Sequence, residues 1–203
     1  MKVLHLDSSI LGAASVSREV SAAVVNQLRA ANPDAHVTYR DLAANPIAHL
    51  DGAILQVVRP APGAAVPAGL EREAVLTEML LKELLDADTV VIGAPMYNFS
   101  VPSTLKAWID RVAQAGRTFQ YTATGPVGLA GGKKVYIVSS RGGMYAGASF
   151  EAAMDHQEAY LKAVLGFFGI TDVEVIRAEG IAMGDEVRKT GIAKALSVVA
   201  KAA

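Results

Sequence analysis

The sequence predicts an α/β fold built on a parallel sheet, and three observations predict it. Short apolar runs alternate with amphipathic segments along the whole chain of 203 residues, which is the order left by strands joined through helical crossovers. The runs are apolar throughout rather than every second residue, as strands covered on both faces are. Apolar residues make up 52% of the chain, enough to fill one sizeable core over residues 1–203.

The elements follow in order. "KVLHLD" (2–7) is a short apolar run bounded by serines and predicts a buried strand. "SREVSAAVVNQLRAA" (17–31) repeats Val20, Val24 and Leu28 at helical spacing and stops at Asn32-Pro33. "HVTYRDL" (36–42) predicts a second strand, "AANPIAHLDGAIL" opens as loop, and "RPAPGAAVPAG" (59–69) reads as a surface loop from its Pro and Gly content. "GLEREAVLTEMLLKELLDA" (69–87) is a long helix with its charges on one side. "TVVIGAP" (89–95) is a third strand, and "STLKAWIDRVA" (103–113) a helix with Leu105, Trp108, Ile109 and Val112 on one stripe. "KKVYIVSS" (133–140) is a fourth strand, 150–169 a helix ending at Gly169, "DVEVIRAEG" (172–180) a fifth strand, and the segment from Gly184 a closing helix.

Composition excludes several functions. A net charge of −1 leaves no basic stripe for nucleic acid. With no cysteine, disulfides and thiolate chemistry are out, in keeping with a cytoplasmic setting. No signal peptide is evident and no apolar run is long enough to span a membrane. The four histidines are scattered, with no metal-binding spacing and no Gly-x-Ser-x-Gly elbow.

On a parallel sheet, ligands bind beyond the carboxyl ends of the strands. Three strand ends carry unusual sequence: "DSSILGAASVS" after the first, "APMYNFSVPST" after the third, and "SSRGGMYAG" after the fourth. In the first, Ser15 and Ser17 stand where a helix begins, and helix starts favour anions. The loop lacks the Gly-Lys-Ser/Thr ending of a triphosphate loop and lacks Gly-x-Gly-x-x-Gly, so it suits a single phosphate. Ordinary helix capping is the other reading. In the second loop, Met96, Tyr97 and Phe99 stand beside an amide, stiffened by Pro95 and Pro102; they either cover a flat ring or simply pack. In the third, Gly142 and Gly143 allow close backbone approach or positive φ, and Arg141 is a candidate solvated charge. Three ligand-shaped loops without an acid–base set predict that a bound cofactor carries the chemistry, with no catalytic side chain and no metal.

Together, "SSILGAASVS", "RDLAANPI" (40–47), "APMYNF" (94–99), "FQYTATGPVGL" (119–129), "SSRGG" (139–143) and "GFFGITDV" (166–173) resemble the FMN-dependent NADH azoreductases, also called FMN-dependent NADH:quinone oxidoreductases. The resemblance implies a flavodoxin-like three-layer sandwich with a five-stranded parallel sheet of order 2-1-3-4-5, and a homodimer. It implies FMN as bound cofactor and NADH or NADPH as electron donor. By position, Ser9, Ser15, Val16 and Ser17 would hold the phosphate. Pro95, Met96, Tyr97, Asn98 and Phe99 would line the isoalloxazine, and Ser140, Arg141, Gly142 and Gly143 its far polar edge. Phe119, Tyr121 and Arg59 would border the substrate pocket, with Phe168 arriving from the partner chain. The implied substrates are quinones and aromatic azo compounds, reduced in a ping-pong cycle. The alternative is a flavodoxin-type electron carrier, which generally needs a charged docking face; a net charge of −1 gives that little support.

Overall fold

The computed structural model describes residues 1–61 and 63–200. Five strands form the main sheet: β1 (Lys2–Asp7), β2 (His36–Asp41), β3 (Thr89–Pro95), β6 (Lys134–Ser140) and β7 (Asp172–Ala178). All neighbouring pairs are parallel, in the order β2-β1-β3-β6-β7. The expected order 2-1-3-4-5 needs relabelling, because β4 (Phe119–Thr122) and β5 (Gly125–Gly128) intervene in the chain. These two pair antiparallel as a separate hairpin outside the main sheet. The hairpin is short, and the single-residue alternation of "FQYT" is too brief to announce a strand.

Alternation along each strand sends side chains to two different cores. Leu4, Leu6, Val90, Ile92, Val135 and Ile137 face one side. There they meet α3 (Glu71–Asp86), α4 (Ser103–Val112) and α6 (His156–Phe167) through Leu80, Leu84, Leu105, Trp108, Leu161 and Leu165. Val3, Val91, Tyr136, Val138 and Ile176 face the other side. They meet Val20 and Val24 of α1 (Val16–Ala31) and Ala195 and Val199 of α7 (Asp185–Val199). Helices therefore cover both faces, which is why the central strands read as unbroken apolar runs.

Two departures have local causes. The stretch expected to open as loop after residue 42 contains α2 (Gly52–Val58), started by Asp51, whose carboxylate accepts from Ile54 N at 2.7 Å. The helix expected over 150–169 is cut in two at Asp155, giving α5 (Glu151–Met154) and α6. Asp155 leaves helical geometry to cap α6, accepting from Gln157 N and Glu158 N. Residues 201–203, the end of the expected closing helix, and Pro62 of the expected surface loop lie outside the described residues.

The register brings the working ends together. Asp7 lies opposite Gly93, and Pro95 opposite Ser140, which lies opposite Ala178. The loops that follow β1, β3 and β6 thus leave one edge of the sheet side by side.

Candidate cofactor site at the strand ends

The first loop is tied down by hydroxyls. Ser8 Oγ donates to the Gly93 carbonyl at 2.7 Å, fixing the exit from β1 against β3. Ser9 Oγ lies 3.3 Å from Tyr97 Oη, and Ile10 N donates to the same oxygen at 3.2 Å. After a 3-10 turn at Gly12–Ala14, Ser15 caps α1, its Oγ accepting from Arg18 N at 3.3 Å. Ser15 Oγ also lies 3.0 Å from Ser17 Oγ, and Ser9, Ser15 and Ser17 are all buried. Capping and anion binding are compatible here. Ser15 uses a lone pair to cap, while the first-turn N–H groups of Val16 and Ser17 have no acceptor within the helix. Two hydroxyls and two helix-start donors fit a phosphate monoester without any lysine.

Arg18 supports this loop from behind. Its guanidinium donates to the Ser9 carbonyl at 2.9 Å, to Tyr39 Oη at 3.1 Å and to both Asp41 oxygens. The Arg18 hydrogen bonds hold the Asp41 carboxyl below its usual range. Burial, and then the neighbouring Asp7 charge, push the Tyr39 phenol up to about 12. Tyr39 donates to Asp7, which also accepts from Ser21, and Ser21 meets His5 at 2.9 Å. His5 belongs to this interior network.

The second loop carries backbone strain. Asn98 and Phe99 both sit at positive φ, 48° and 70°, which is costly for residues with a side chain. The conformation is held by reciprocal backbone bonds between Tyr97 and Ser100 at 3.0 Å, and by His156 N donating to the Phe99 carbonyl at 3.0 Å. Met96 N donates to the Ser140 carbonyl at 2.8 Å, joining this loop to the third. Pro95 is buried, Met96 and Tyr97 are half-buried, and Asn98 and Phe99 are exposed at the rim. A strained turn presenting an aromatic and an amide at the sheet edge fits one wall for a flat ring.

The third loop is stitched to the segment after β7: Gly180 N donates to Gly143 O, Ile181 N to Arg141 O and Ala182 N to Gly142 O, all near 3 Å. Neither Gly142 nor Gly143 has positive φ. The gain from glycine is space: a Cβ at Gly143 would stand 3.3 Å from the Tyr145 ring. Gly143, Met144, Tyr145, Phe150, Met154 and Met183 line an open depression of about 520 Å³ beside the loop. The carbonyls of 140–143 are taken up by Met96 N, Ile181 N, Ala182 N and Gly180 N, and Arg141 N donates to the Ala178 carbonyl. The reading of Arg141 as a solvated charge is overturned. Its side chain has no exposed surface and turns inward to Asp155, Glu158 and Glu179, because a buried guanidinium needs counter-charges.

The residues expected to border a substrate divide. Tyr121 is 75% exposed on the hairpin and meets Phe119 edge-on at 5.6 Å. Phe119 itself is buried, its ring centroid 4.4 Å from that of Phe167 with the planes tilted by 42°. Arg59 is exposed where α2 ends, while its neighbours Gln56, Val57 and Pro60 line a hollow against α3 rather than the three loops. Phe168 is corrected outright: it is 1% exposed inside its own chain's core, so it cannot reach a partner's pocket. Phe167 is packed against the same core.

Sequence reasoning missed Gln157, Asp155 and Glu179, which lie under the second and third loops. For Asp155 a signal existed, since Asp followed by His-Gln-Glu is a helix start. Gln157 and Glu179 had none. Among the described residues, no group of three or more His, Cys, Asp or Glu is placed to hold a metal ion, and no helix is long and apolar enough to cross a membrane.

Comparison with known proteins agrees with this geometry. The family model for the flavodoxin-like fold matches residues 1–202. An FMN-dependent NADH:quinone oxidoreductase of Azospirillum brasilense is 58% identical over 195 residues, covering 96% of this chain and 94% of its own. One of the same name from Ralstonia nicotianae is 62% identical over 188 residues, covering 93% and 90%. Among solved structures, an azoreductase from Bacillus anthracis superposes with a TM-score of 0.87 at 28% identity, over 99% of each chain. Its strand-end loops, its sheet order and these relatives place the chain in one group: it belongs to the flavodoxin-like family that includes the FMN-dependent NADH:quinone oxidoreductases.

Proposed function

We propose that the protein is an FMN-dependent oxidoreductase, one domain over residues 1–203, that takes electrons from NADH or NADPH and reduces quinones and aromatic azo compounds. The observation that carries this reading is the joining of three loops into one slot, through Ser9 and Ile10 to Tyr97 and through Met96 to Ser140. FMN, when bound, supplies two-electron redox chemistry. The chain supplies the seat. The Ser15 and Ser17 hydroxyls and the Val16 and Ser17 amides receive the phosphate. Residues 95–99 cover one side of the ring, and the backbone of 140–143 meets its polar edge, where N–H donors stabilise negative charge. Tyr97 Oη, engaged by Ser9 and Ile10, acts as a tie between loops.

Donor and acceptor share one slot and therefore alternate. A quinone takes two electrons and two protons to become a hydroquinone, consuming one NADH. An azo compound takes four electrons and four protons to become two amines, consuming two. Initial-rate plots with either acceptor are expected to give parallel lines; intersecting lines, or one NADH per azo bond cleaved, would contradict the reading. The protein works as a cytoplasmic homodimer in this proposal, with the exposed Ile10, Leu11, Phe99, Met144 and Phe150 around the slot as the surface that a second copy covers. A monomeric mass at micromolar protein with full activity would refute the dimer. The carrier alternative gains nothing from the structure, while high-identity relatives named as oxidoreductases favour the enzyme.

A further inference from the structure

Beneath the second and third loops lies a buried polar assembly that the flavin contacts do not use. Gln157 is fully buried on α6 and bridges two strands. Its Nε2 donates to the Ala94 carbonyl at 2.7 Å, and its Oε1 accepts from Ser139 Oγ at 2.7 Å. Ala94 and Ser139 are partners in the β3–β6 register, one residue before the loops begin. Ser139 Oγ accepts in turn from Arg141 Nε at 3.0 Å. The Arg141 guanidinium then meets Asp155, which caps α6, Glu158 within α6, and Glu179, which follows β7.

Glu179 extends the chain of bonds into the slot wall. Its carboxylate accepts from Tyr145 N at 2.9 Å and from Ala146 N at 3.0 Å. At the other end, the first residue of α6 holds the strained Phe99 through its carbonyl. The bonds therefore run from the root of the 95–99 loop to the backbone of 145–146 without a break. An apolar filling would stabilise such a space at least as well as buried charges do. Directional bonds do something apolar packing cannot: they set the distance between two backbones.

We infer that Gln157 and Glu179 are positioning residues that fix the width of the slot between the 95–99 and 140–146 loops, and so govern how tightly the flat ring is held, independently of its phosphate. The inference rests on the flavin reading of the slot. Arg141 is unsuitable as a test, since its removal would leave the buried carboxylates of Asp155 and Glu179 without their ion pair.

The experiment titrates apo-protein with FMN and with riboflavin, which shares the ring and lacks the phosphate, following flavin fluorescence. Glu179→Ala is expected to raise both dissociation constants by the same factor, about tenfold, the scale of one lost hydrogen bond. Glu179→Gln, which keeps an acceptor for Tyr145 N and Ala146 N, is expected to recover most of the loss. Gln157→Glu, which keeps the Ser139 contact and loses the donor to Ala94, is expected to shift both flavins equally again. Variants that bind both flavins as the wild type does, or that weaken FMN alone, overturn the inference. So does loss of the fold in both Glu179→Ala and Gln157→Glu, which would make the assembly a stability device. Wild-type protein that binds neither flavin overturns the flavin reading itself and this inference with it.

Discussion

Replacing Ser17 with Asp tests whether the first loop is a phosphate seat. Ser17 Oγ is buried, 3.0 Å from Ser15 Oγ, and lies beside helix-start donors. A phosphate seated there would have its charge about 4 Å from a carboxylate at position 17. At an effective dielectric of about 20, each pair of unit charges at that distance costs about 4 kcal/mol. A phosphomonoester carries roughly −1.5 to −2, which raises the repulsion, while salt and the open mouth of the slot reduce it. A net cost of about 4 kcal/mol corresponds to FMN binding about a thousandfold weaker. The helix tolerates the change, because a carboxylate in its first turn opposes the dipole favourably. The assay is fluorescence titration with FMN and riboflavin at fixed salt, with the melting temperature as a check on the fold. The FMN-to-riboflavin affinity ratio is expected to collapse, since riboflavin brings no charge to the loop. Ser17→Ala, which loses one charge-assisted hydrogen bond, is expected to cost FMN only about 1.5–3 kcal/mol. Unchanged FMN affinity in Ser17→Asp, or an equal fall for both flavins, would refute the argument.

The other predictions concern stability. Gly93→Ala is expected to lower stability by about 2 kcal/mol through overpacking, because its Cβ would stand 2.3 Å from Asp7 Oδ1; denaturant unfolding measures it, and an unchanged midpoint would mean that Asp7 moves freely. Phe168→Ala is expected to cost about 3–5 kcal/mol of stability; a protein that melts as the wild type does but loses substrate affinity would restore the rejected pocket role. Asp41 has a carboxyl held low by Arg18, so the stability it contributes is present above its unfolded value, near pH 4, and is lost as pH falls through the depressed folded value. Arg18→Gln removes that contribution, so acid unfolding is expected to begin at higher pH; identical acid midpoints would rule out the coupling.

The sheet was legible because β3 and β6 are covered on both faces and need continuous apolar residues. The long helices were legible from stripes such as Leu105, Trp108, Ile109 and Val112. What escaped was set by few residues or by distant ones. A seven-residue α2 depends on one capping carboxylate, and the β4–β5 hairpin is too short to carry a period. Ser15 and Ser17 could be singled out because a helix start gives hydroxyls a known job, whereas Ser9 was reached only through the family resemblance. Arg141 could not, since nothing near it in sequence announces that Glu158 and Glu179 converge on it from other elements. Phe168 misled because its partner role came from the family resemblance, and nothing beside it in the sequence says whether an aromatic residue at a helix end faces a partner or its own core.

The most direct test of the account is rapid anaerobic mixing of the FMN-reconstituted protein with NADH, followed by a quinone, while the visible flavin absorbance is recorded. NADH or NADPH is expected to bleach the flavin band in one two-electron step, and one equivalent of quinone to restore it at once. Flavin that remains oxidised with both NADH and NADPH would contradict the oxidoreductase reading and leave the electron carrier in its place.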